Sequence, residues 1–264
     1  MIKVNAPFFE SLMLFLQENV LNLSKIEIQN FYLKWIEEFD VDNGQLLTDV
    51  KNKNVISEKQ YTPNNAKLLG ADLPTCFGEH SKKRILFVGI DPVRNVKEFN
   101  KIKENIDNDV IIGSPYALHK KNFREKRCAA YWEIIKNLQE HNFIYVTDIY
   151  KTYFQKDKIR SYDHWNELGN DKIKKSHIEI FLKEIEIVEP NLIVTFGAIA
   201  YKNISGQNIN VPILPLMHLS PSTRFHHLKN FLKVKYGYNY EFDDRVKAGR
   251  IYSEIINTYL KNNH

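Results

Sequence analysis

Cysteine is scarce in this chain, which has only Cys76 and Cys128 among its 264 residues. The two thiols lie far apart in the sequence and show no pairing pattern. By themselves they cannot complete a tetrahedral zinc site or hold an iron–sulfur cluster. We therefore expect a protein without a metal or other cofactor, in a reducing compartment.

Long apolar stretches are also missing. No run of the chain approaches the roughly 20 apolar residues that a membrane-spanning helix needs. Residues 1–7 lack the charged start, apolar core and small-residue cleavage site of a secretory signal. These absences predict a soluble, cytoplasmic protein with no membrane partner, and we expect it to be a monomer.

Glycine-rich phosphate-binding loops are absent as well. The chain contains neither Gly-x-Gly-x-x-Gly nor a Walker loop. This absence counts against an α/β protein that binds a free nucleotide, although the weak net charge would suit one.

Positive charge is concentrated in two segments. The formal net charge is only +5, from 37 Lys and Arg against 32 Asp and Glu. Residues 119–127 carry five Lys or Arg and one Glu, and residues 222–235 carry four Lys or Arg, two His and no acidic residue. Such patches suit the phosphate backbone of duplex or single-stranded DNA, but a solvated helix face has the same composition.

Apolar runs and helical patterns alternate from residue 84 onward. The runs predict strands at 84–90, 143–147, 192–197 and 211–217, with helices at about 124–141, 174–188 and 244–260. Strands that alternate with helices predict right-handed crossovers and a parallel sheet covered on both faces. The expected fold class is α/β, a three-layer α/β/α arrangement with a central four-stranded parallel sheet. The fourth strand contains two prolines and should lie at an edge.

The first 83 residues show a different pattern. Residues 8–39 have apolar residues at helical spacing, and residues 40–83 are polar, with turn signals. We expect residues 1–83 to form a mostly helical or irregular extension that packs on the sheet, so that residues 1–264 make a single domain.

One position marks the end of each of the predicted parallel strands. The four strand-end positions are Asp91, Asp148, Gly197 and His218, and we take Asp91, Asp148 and His218 as candidate functional residues. The carboxyl ends of parallel strands lie along one edge of a sheet, where open α/β sheets bind their ligands. Asp91 precedes Pro92, which holds it in extended backbone at that edge. Either aspartate could instead cap the helix that follows it.

Two short motifs at these strand ends carry a resemblance to a known family. Gly89-Ile90-Asp91-Pro92 closes the first strand, and His218-Leu219-Ser220-Pro221-Ser222 follows the fourth. Their order and strand context resemble the two signature motifs of the uracil-DNA glycosylase superfamily. The third strand, 192–197, is similar to the strand before the family's final motif. Ser114-Pro115-Tyr116 lies where the family places an aromatic residue that stacks on the base.

The resemblance implies a DNA glycosylase that flips a deaminated or damaged base, such as uracil, and hydrolyses its N-glycosidic bond without a metal ion. Asp91 would stabilise the oxocarbenium-like transition state and orient the attacking water. His218 would hydrogen-bond the departing base as negative charge grows on its carbonyl oxygen. Tyr116 would stack on the base. The other matched positions are the base-pocket residues Gly89, Ile90, Pro92 and Asp148, and the DNA-backbone residues Ser220, Ser222, Thr223 and Arg224.

Two positions depart from the family pattern. The family usually has Asn where this chain has Asp148, and a carboxylate accepts from uracil N3–H but cannot donate to O4 unless it is protonated. Asp148 would also accept from an exocyclic amine, as on cytosine or adenine, so the preferred base stays open. Ser222 occupies a wedge position where active members often carry Leu. The alternative is therefore a catalytically weak or inactive relative that binds nucleic acid.

Overall fold

A computed structural model of the chain describes most of its residues. The described ranges are 4–5, 10–39, 50–60, 67–90, 109–155, 161–162, 171–220, 223–239 and 244–262. Three predicted site residues, Asp91, Pro92 and Ser222, lie outside the described residues.

The stretches 8–39, 124–141, 174–188 and 244–260 each contain helix, as predicted, whereas the helix at 225–236, which overlaps the basic segment 222–235, was not predicted. The helices in the described ranges are α1 (Glu10–Asn19), α2 (Lys25–Glu37), α3 (Ala129–Leu138), α4 (Asp171–Val188), α5 (Ala198–Ser205), α6 (Phe225–Tyr236) and α7 (Arg245–Asn262). The helical stretch 8–39 is divided in two because Ser24 starts a new helix, in a reciprocal capping box with Glu27. No helix in these ranges is long and apolar enough to cross a membrane.

The strands form two sheets. They are β1 (Val4–Asn5), β2 (Val50–Asn52), β3 (Lys67–Asp72), β4 (Thr75–Phe77), β5 (Lys83–Gly89), β6 (Asp109–Gly113), β7 (Asn142–Asp148), β8 (Thr152–Gln155), β9 (Ser161–Tyr162), β10 (Leu192–Phe196) and β11 (Ile213–Leu216). The main sheet has the order β1-β4-β7-β5-β10-β11, and its last four strands are parallel. The second sheet has the order β2-β6-β3-β8-β9.

The mixed α/β class is confirmed, but the predicted four-stranded sheet is wrong in its strand number. All four predicted strands are present and parallel, and antiparallel β4 and β1 extend the main sheet to six strands. Strands β2, β3 and β4 lie within residues 40–83, which were predicted to be irregular. The three residues of β4 are all buried, so no alternation of apolar and polar residues marks that strand in the sequence.

Helices cover both faces of the main sheet. The strand registers place Tyr145 of β7 and Phe196 of β10 on opposite faces. The Tyr145 hydroxyl donates to Glu184 of α4 at 2.6 Å. On the other face, Tyr131 of α3 packs edge-on against Phe196, with 5.0 Å between ring centroids. These contacts give the layered arrangement that alternating strands and helices predict.

The proline-containing strand β11 lies at the edge of the main sheet, as predicted. Its Pro215 carbonyl oxygen points outward and accepts from the Tyr236 hydroxyl at 3.0 Å. Since β7, β5, β10 and β11 are parallel neighbours, their carboxyl ends lie side by side. We call this edge the carboxyl rim.

One arginine of the basic segment 119–127 has a structural role. The Arg124 side chain is 1% exposed. Its guanidinium group donates to the Phe39 carbonyl oxygen at 2.6 Å and lies 3.6 Å from the centroid of the Phe39 ring. This contact connects the end of the N-terminal helical segment to the sheet domain, so not every cation of the segment is available to a phosphate.

Candidate active site at the carboxyl rim

Gly89 and Asp148 end neighbouring strands of the carboxyl rim and face each other in the parallel register. A Cβ atom added to Gly89 would lie 2.0 Å from Asp148 Oδ1, closer than real atoms approach. The carboxylate therefore lies directly against the Gly89 backbone, and only glycine leaves room for it. Asp148 is 3% exposed, so a buried carboxylate stands where the sequence predicts the base pocket.

Tyr116 reaches the same point from a strained 3₁₀ turn, Pro115–Ala117. Tyr116 and Ala117 both have left-handed backbone, with φ of 55° and 50°, at a cost of about 1–2 kcal/mol for each non-glycine residue. Buried Ser114 and His119 hold the turn: the His119 N–H donates to Ser114 Oγ at 3.0 Å, and that oxygen lies 2.9 Å from His119 Nδ1. The surrounding structure thus fixes the orientation of Tyr116.

The Tyr116 hydroxyl lies beside the Asp148 carboxylate. Its oxygen is 3.1 Å from the Cβ position of Gly89, is buried, and has no hydrogen-bond partner within the described part of the chain. Burial raises the pKa of Tyr116 well above its usual value, and Tyr131 and Asp148 add to the rise. The hydroxyl therefore keeps its proton and can donate it.

The ring of Tyr116 has one face already covered. It stacks on Tyr131 with ring centroids 4.2 Å apart and planes 16° from parallel. A base could stack only on the opposite face of Tyr116. The stacking role that the family resemblance implies for Tyr116 stays a prediction.

His218 lies beyond β11 in a defined tautomer. The Ser220 N–H donates to His218 Nδ1 at 3.0 Å, which leaves the proton of the neutral ring on Nε2. Burial lowers the pKa of His218 to about 4, so the ring is neutral at pH 7. Its centroid is 5.5 Å from that of Tyr131 and 6.3 Å from that of Tyr116. A neutral N–H donor is thereby brought close to the Asp148–Tyr116 pair.

The segment after His218 leads directly into α6. The Thr223 N–H donates to the Ser220 carbonyl oxygen at 3.0 Å, and the two side-chain oxygens lie 3.4 Å apart. Arg245 of α7 donates to the Thr223 carbonyl oxygen at 2.5 Å. Arg224 is exposed and immediately precedes α6. Two hydroxyls and an exposed guanidinium therefore lie next to His218, a combination that suits phosphate.

A buried ion pair behind Asp148 was missed by sequence reasoning. Lys151 and Glu184 are 1% and 0% exposed and lie 2.5 Å apart. The Lys151 ammonium also donates to Thr147 Oγ1 and, at 2.5 Å, to the Asp148 carbonyl oxygen. The one signal in the sequence is the position of Glu184, three residues after Phe181 on the apolar face of α4. The network anchors the end of β7, and with it Asp148.

The described site residues occupy neighbouring places on the carboxyl rim. Gly89, Tyr116, Asp148 and His218 surround one region, although they come from distant parts of the sequence. Ile90 is half-buried and continues β5 past Gly89; its carbonyl oxygen accepts from the Tyr150 N–H at 3.0 Å. The described residues to which the family resemblance assigns the DNA backbone lie on the His218 side of the rim. They are Ser220, Thr223 and Arg224.

Comparison with models of protein families gives a match over the central part of the chain. The family model described as the uracil DNA glycosylase superfamily matches residues 77–238, which is more than half of the chain. A search of curated proteins finds no match. The matched range includes the whole carboxyl rim.

Proposed function

The chain belongs to the uracil-DNA glycosylase superfamily, and we propose that it is a metal-independent DNA glycosylase that removes a flipped, deaminated base. Membership of a superfamily that acts on DNA supports the reaction class. The observation that carries the proposal is the convergence of Asp148, Tyr116 and His218 at the Gly89 end of β5. An acceptor and two donors close to one another suit a planar base with both kinds of group on its edge.

His218 is proposed to stabilise the leaving base. When the N-glycosidic bond breaks, the electron pair stays with the base, and negative charge grows on its carbonyl oxygen. The neutral ring, with Nδ1 accepting from the Ser220 N–H at 3.0 Å, has its Nε2–H free of that bond and can donate to this oxygen. Because the pKa of His218 is about 4, the donor keeps the same protonation state from pH 5.5 upward.

Asp148 and Tyr116 are proposed to read the edge of the base. A carboxylate alone does not distinguish a ring N–H from an exocyclic amine. In place of the stacking role that the family resemblance implies, the Tyr116 hydroxyl beside Asp148 would supply the donor that is lost when Asp replaces the family's Asn. A ring stacked on the base could not also donate to its edge. An acceptor next to a donor matches a ring N–H next to a carbonyl oxygen. Uracil, hypoxanthine and xanthine present that pattern, which thymine and guanine share and which cytosine and adenine lack. The pattern therefore separates the deaminated bases from the cytosine and adenine that give rise to uracil and hypoxanthine, and we propose deaminated bases as the substrates.

Asp91 is proposed to act on the sugar. It directly follows Ile90, which lies on the carboxyl rim. By the family motif, its carboxylate would stabilise positive charge on the deoxyribose and orient the water that attacks C1′. Ser220, Ser222, Thr223 and Arg224 would bind the phosphates on the His218 side. Charge on the two sides of the scissile bond would thus be stabilised by different residues.

A panel of oligonucleotides tests the proposal. Purified protein is incubated with DNA that contains a single uracil, hypoxanthine, xanthine or alkylated base, with unmodified cytosine and adenine as controls, and abasic sites are cleaved by alkali. We expect abasic sites in at least one deaminated substrate and their loss in Asp91→Ala and His218→Ala. An absence of base release across the whole panel would refute the proposal.

A second candidate function is favoured by the residues that depart from the family pattern. Asp148 replaces the usual Asn, and Ser222 replaces the wedge residue, as expected of a relative that binds nucleic acid without catalysis. Salt-dependent DNA binding without base release, unchanged in Asp91→Ala, would select this alternative.

A further inference from the structure

A cavity of about 700 Å³ lies beyond His218, on the outer side of β11. Its walls are the start of α5, the carboxyl end of β11 and one face of α6. We call it the edge groove, and its most informative lining residues are Tyr201, Pro215, Met217, His227, Phe231 and Lys235. A volume of this size is typical of sites that hold small organic ligands.

One stripe of α6 faces the edge groove. Arg224, His227, Phe231 and Lys235 all line it, and their spacing of three and four residues places them on one side of the helix. Two of these residues are cations, a third is a histidine, and no carboxylate lines the groove among the described residues. The groove therefore favours an anionic ligand.

The interior of the edge groove is apolar and aromatic. Phe231 is half-buried against Tyr236, with 5.7 Å between ring centroids. Tyr201 lies across the groove on α5 with 38% of its surface exposed. The Lys235 ammonium lies 5.6 Å from the Phe231 centroid and donates to the Pro215 carbonyl oxygen at 3.4 Å. A cation is thus held over an aromatic surface at the edge of an apolar space.

We propose that the edge groove binds an unpaired nucleotide of the DNA strand, with its base against Tyr201 and Phe231 and its phosphate near Arg224 and Lys235. Aromatic rings beside cations are the usual surface for single-stranded nucleic acid, because every base has a face that can stack. A paired base cannot enter, because its neighbours in the duplex cover both of its faces.

The position of the edge groove relative to His218 connects it to the candidate active site. His218 lines the groove, and its Cβ atom is 3.8 Å from the Cβ position of Gly197 at the start of α5. A strand whose flipped base contacts His218 would therefore pass the groove within a few nucleotides. The inference rests on the proposed function in this respect, and it predicts a preference for single-stranded or locally opened DNA.

Matched variants on α5 and α6 test this inference. Tyr201 and Ile199 belong to the same helix and are 38% and 39% exposed, but only Tyr201 lines the groove. Lys235 and Lys233 are both exposed on α6, and only Lys235 lines the groove. The probe is a labelled homothymidine strand of about 12 nucleotides, alone or paired with its complement, and binding is followed by fluorescence anisotropy at fixed salt. This probe contains no base that the glycosylase is proposed to remove.

We expect Tyr201→Ala and Lys235→Ala to weaken binding of the single strand by about fivefold or more, and that of the duplex by less. Ile199→Ala and Lys233→Ala should leave the ratio of the two affinities unchanged. Equal losses for strand and duplex, no loss in Tyr201→Ala, or no binding of the single strand by the native protein would each overturn the inference.

The test separates this inference from the proposed glycosylase activity. If the native protein releases no base but Tyr201→Ala selectively weakens single-strand binding, the inference about the edge groove is supported and the glycosylase proposal is refuted. If the native protein releases a base but Tyr201→Ala does not weaken single-strand binding, the glycosylase proposal is supported and the inference about the edge groove is refuted.

Discussion

The two halves of the carboxyl rim differ in how they are supported. Behind Asp148, Lys151 and Glu184 form a fully buried ion pair with no access to water. Beyond His218 the rim opens into the edge groove, whose cations are exposed. We call the part of the rim around Asp148 the closed half and the part from His218 to the edge groove the open half. The closed half holds the carboxylate that is proposed to read the base, and the open half presents residues to a long, charged ligand. Substitutions should therefore reduce stability in the closed half and DNA binding in the open half.

The largest effect is expected where the closed half loses one member of its ion pair. Glu184→Ala leaves the Lys151 charge buried and unpaired, which costs about 3–5 kcal/mol in the free energy of unfolding. Urea unfolding measures this loss. Glu186→Ala, an exposed position on the same helix, is the control and should change stability by less than about 0.5 kcal/mol. Similar losses in the two variants would mean that the closed half is not held by this pair.

The next effect concerns the contact between Gly89 and Asp148. In Gly89→Ala the new Cβ atom would lie 2.0 Å from Asp148 Oδ1, so the carboxylate must move, at a cost of about 1–3 kcal/mol. The rate of base release should also fall, because the displaced carboxylate can no longer contact the base in the proposed way. In an Asp148→Ala background the same substitution should cost clearly less, which a double-mutant cycle measures. An unchanged cost would show that Asp148 does not occupy this space.

Two histidines with lowered pKa values make stability depend on pH. They are half-buried His218 and buried His177 of α4, whose ring centroid lies 5.1 Å from that of Tyr150, just after β7. Burial lowers the pKa of both His177 and His218 to about 4. Below pH 6.5 the unfolded chain binds protons that the folded chain does not, so stability falls from pH 6.5 towards pH 4 by up to about 1.4 kcal/mol per pH unit for each histidine.

Urea unfolding between pH 4.5 and 6.5 measures this slope. His177→Asn should lower this slope by up to about 1.4 kcal/mol per pH unit, the contribution of one proton, because asparagine does not titrate. An identical slope in the variant would contradict a lowered pKa at His177.

The smallest effect is expected from removing the Tyr116 hydroxyl, which tests whether this group contacts the base. Tyr116→Phe removes a buried hydroxyl with no hydrogen-bond partner in the described residues, so stability should not fall. If the hydroxyl donates to a base carbonyl, release of uracil or hypoxanthine should slow by about two- to tenfold. A loss of stability with unchanged base release would assign the hydroxyl a structural role instead.

The sequence predicts which residues end the strands of the rim, but it does not predict the buried contacts that support the closed half. Strand ends such as Asp148 and His218 were predicted because apolar runs are long and end at polar residues. The Lys151–Glu184 pair was missed because one charge within a helical pattern does not identify its partner, which lies 33 positions away. Strand β4 was missed because three residues are too few to show a period. The contact of Tyr116 with Tyr131 could not be predicted, because it depends on left-handed backbone at Tyr116 and Ala117, two residue types that rarely adopt it.

Single-turnover base release by His218→Ala tests the central claim most directly. The substrate is the deaminated base that the native protein removes fastest, and His226→Ala, an exposed histidine of α6, is the control. Loss of the neutral Nε2–H donor should slow base release by about 10²-fold or more, while His226→Ala stays within about twofold of the native rate. A His218→Ala rate close to that of the native protein would contradict the assignment of the leaving-base donor to His218.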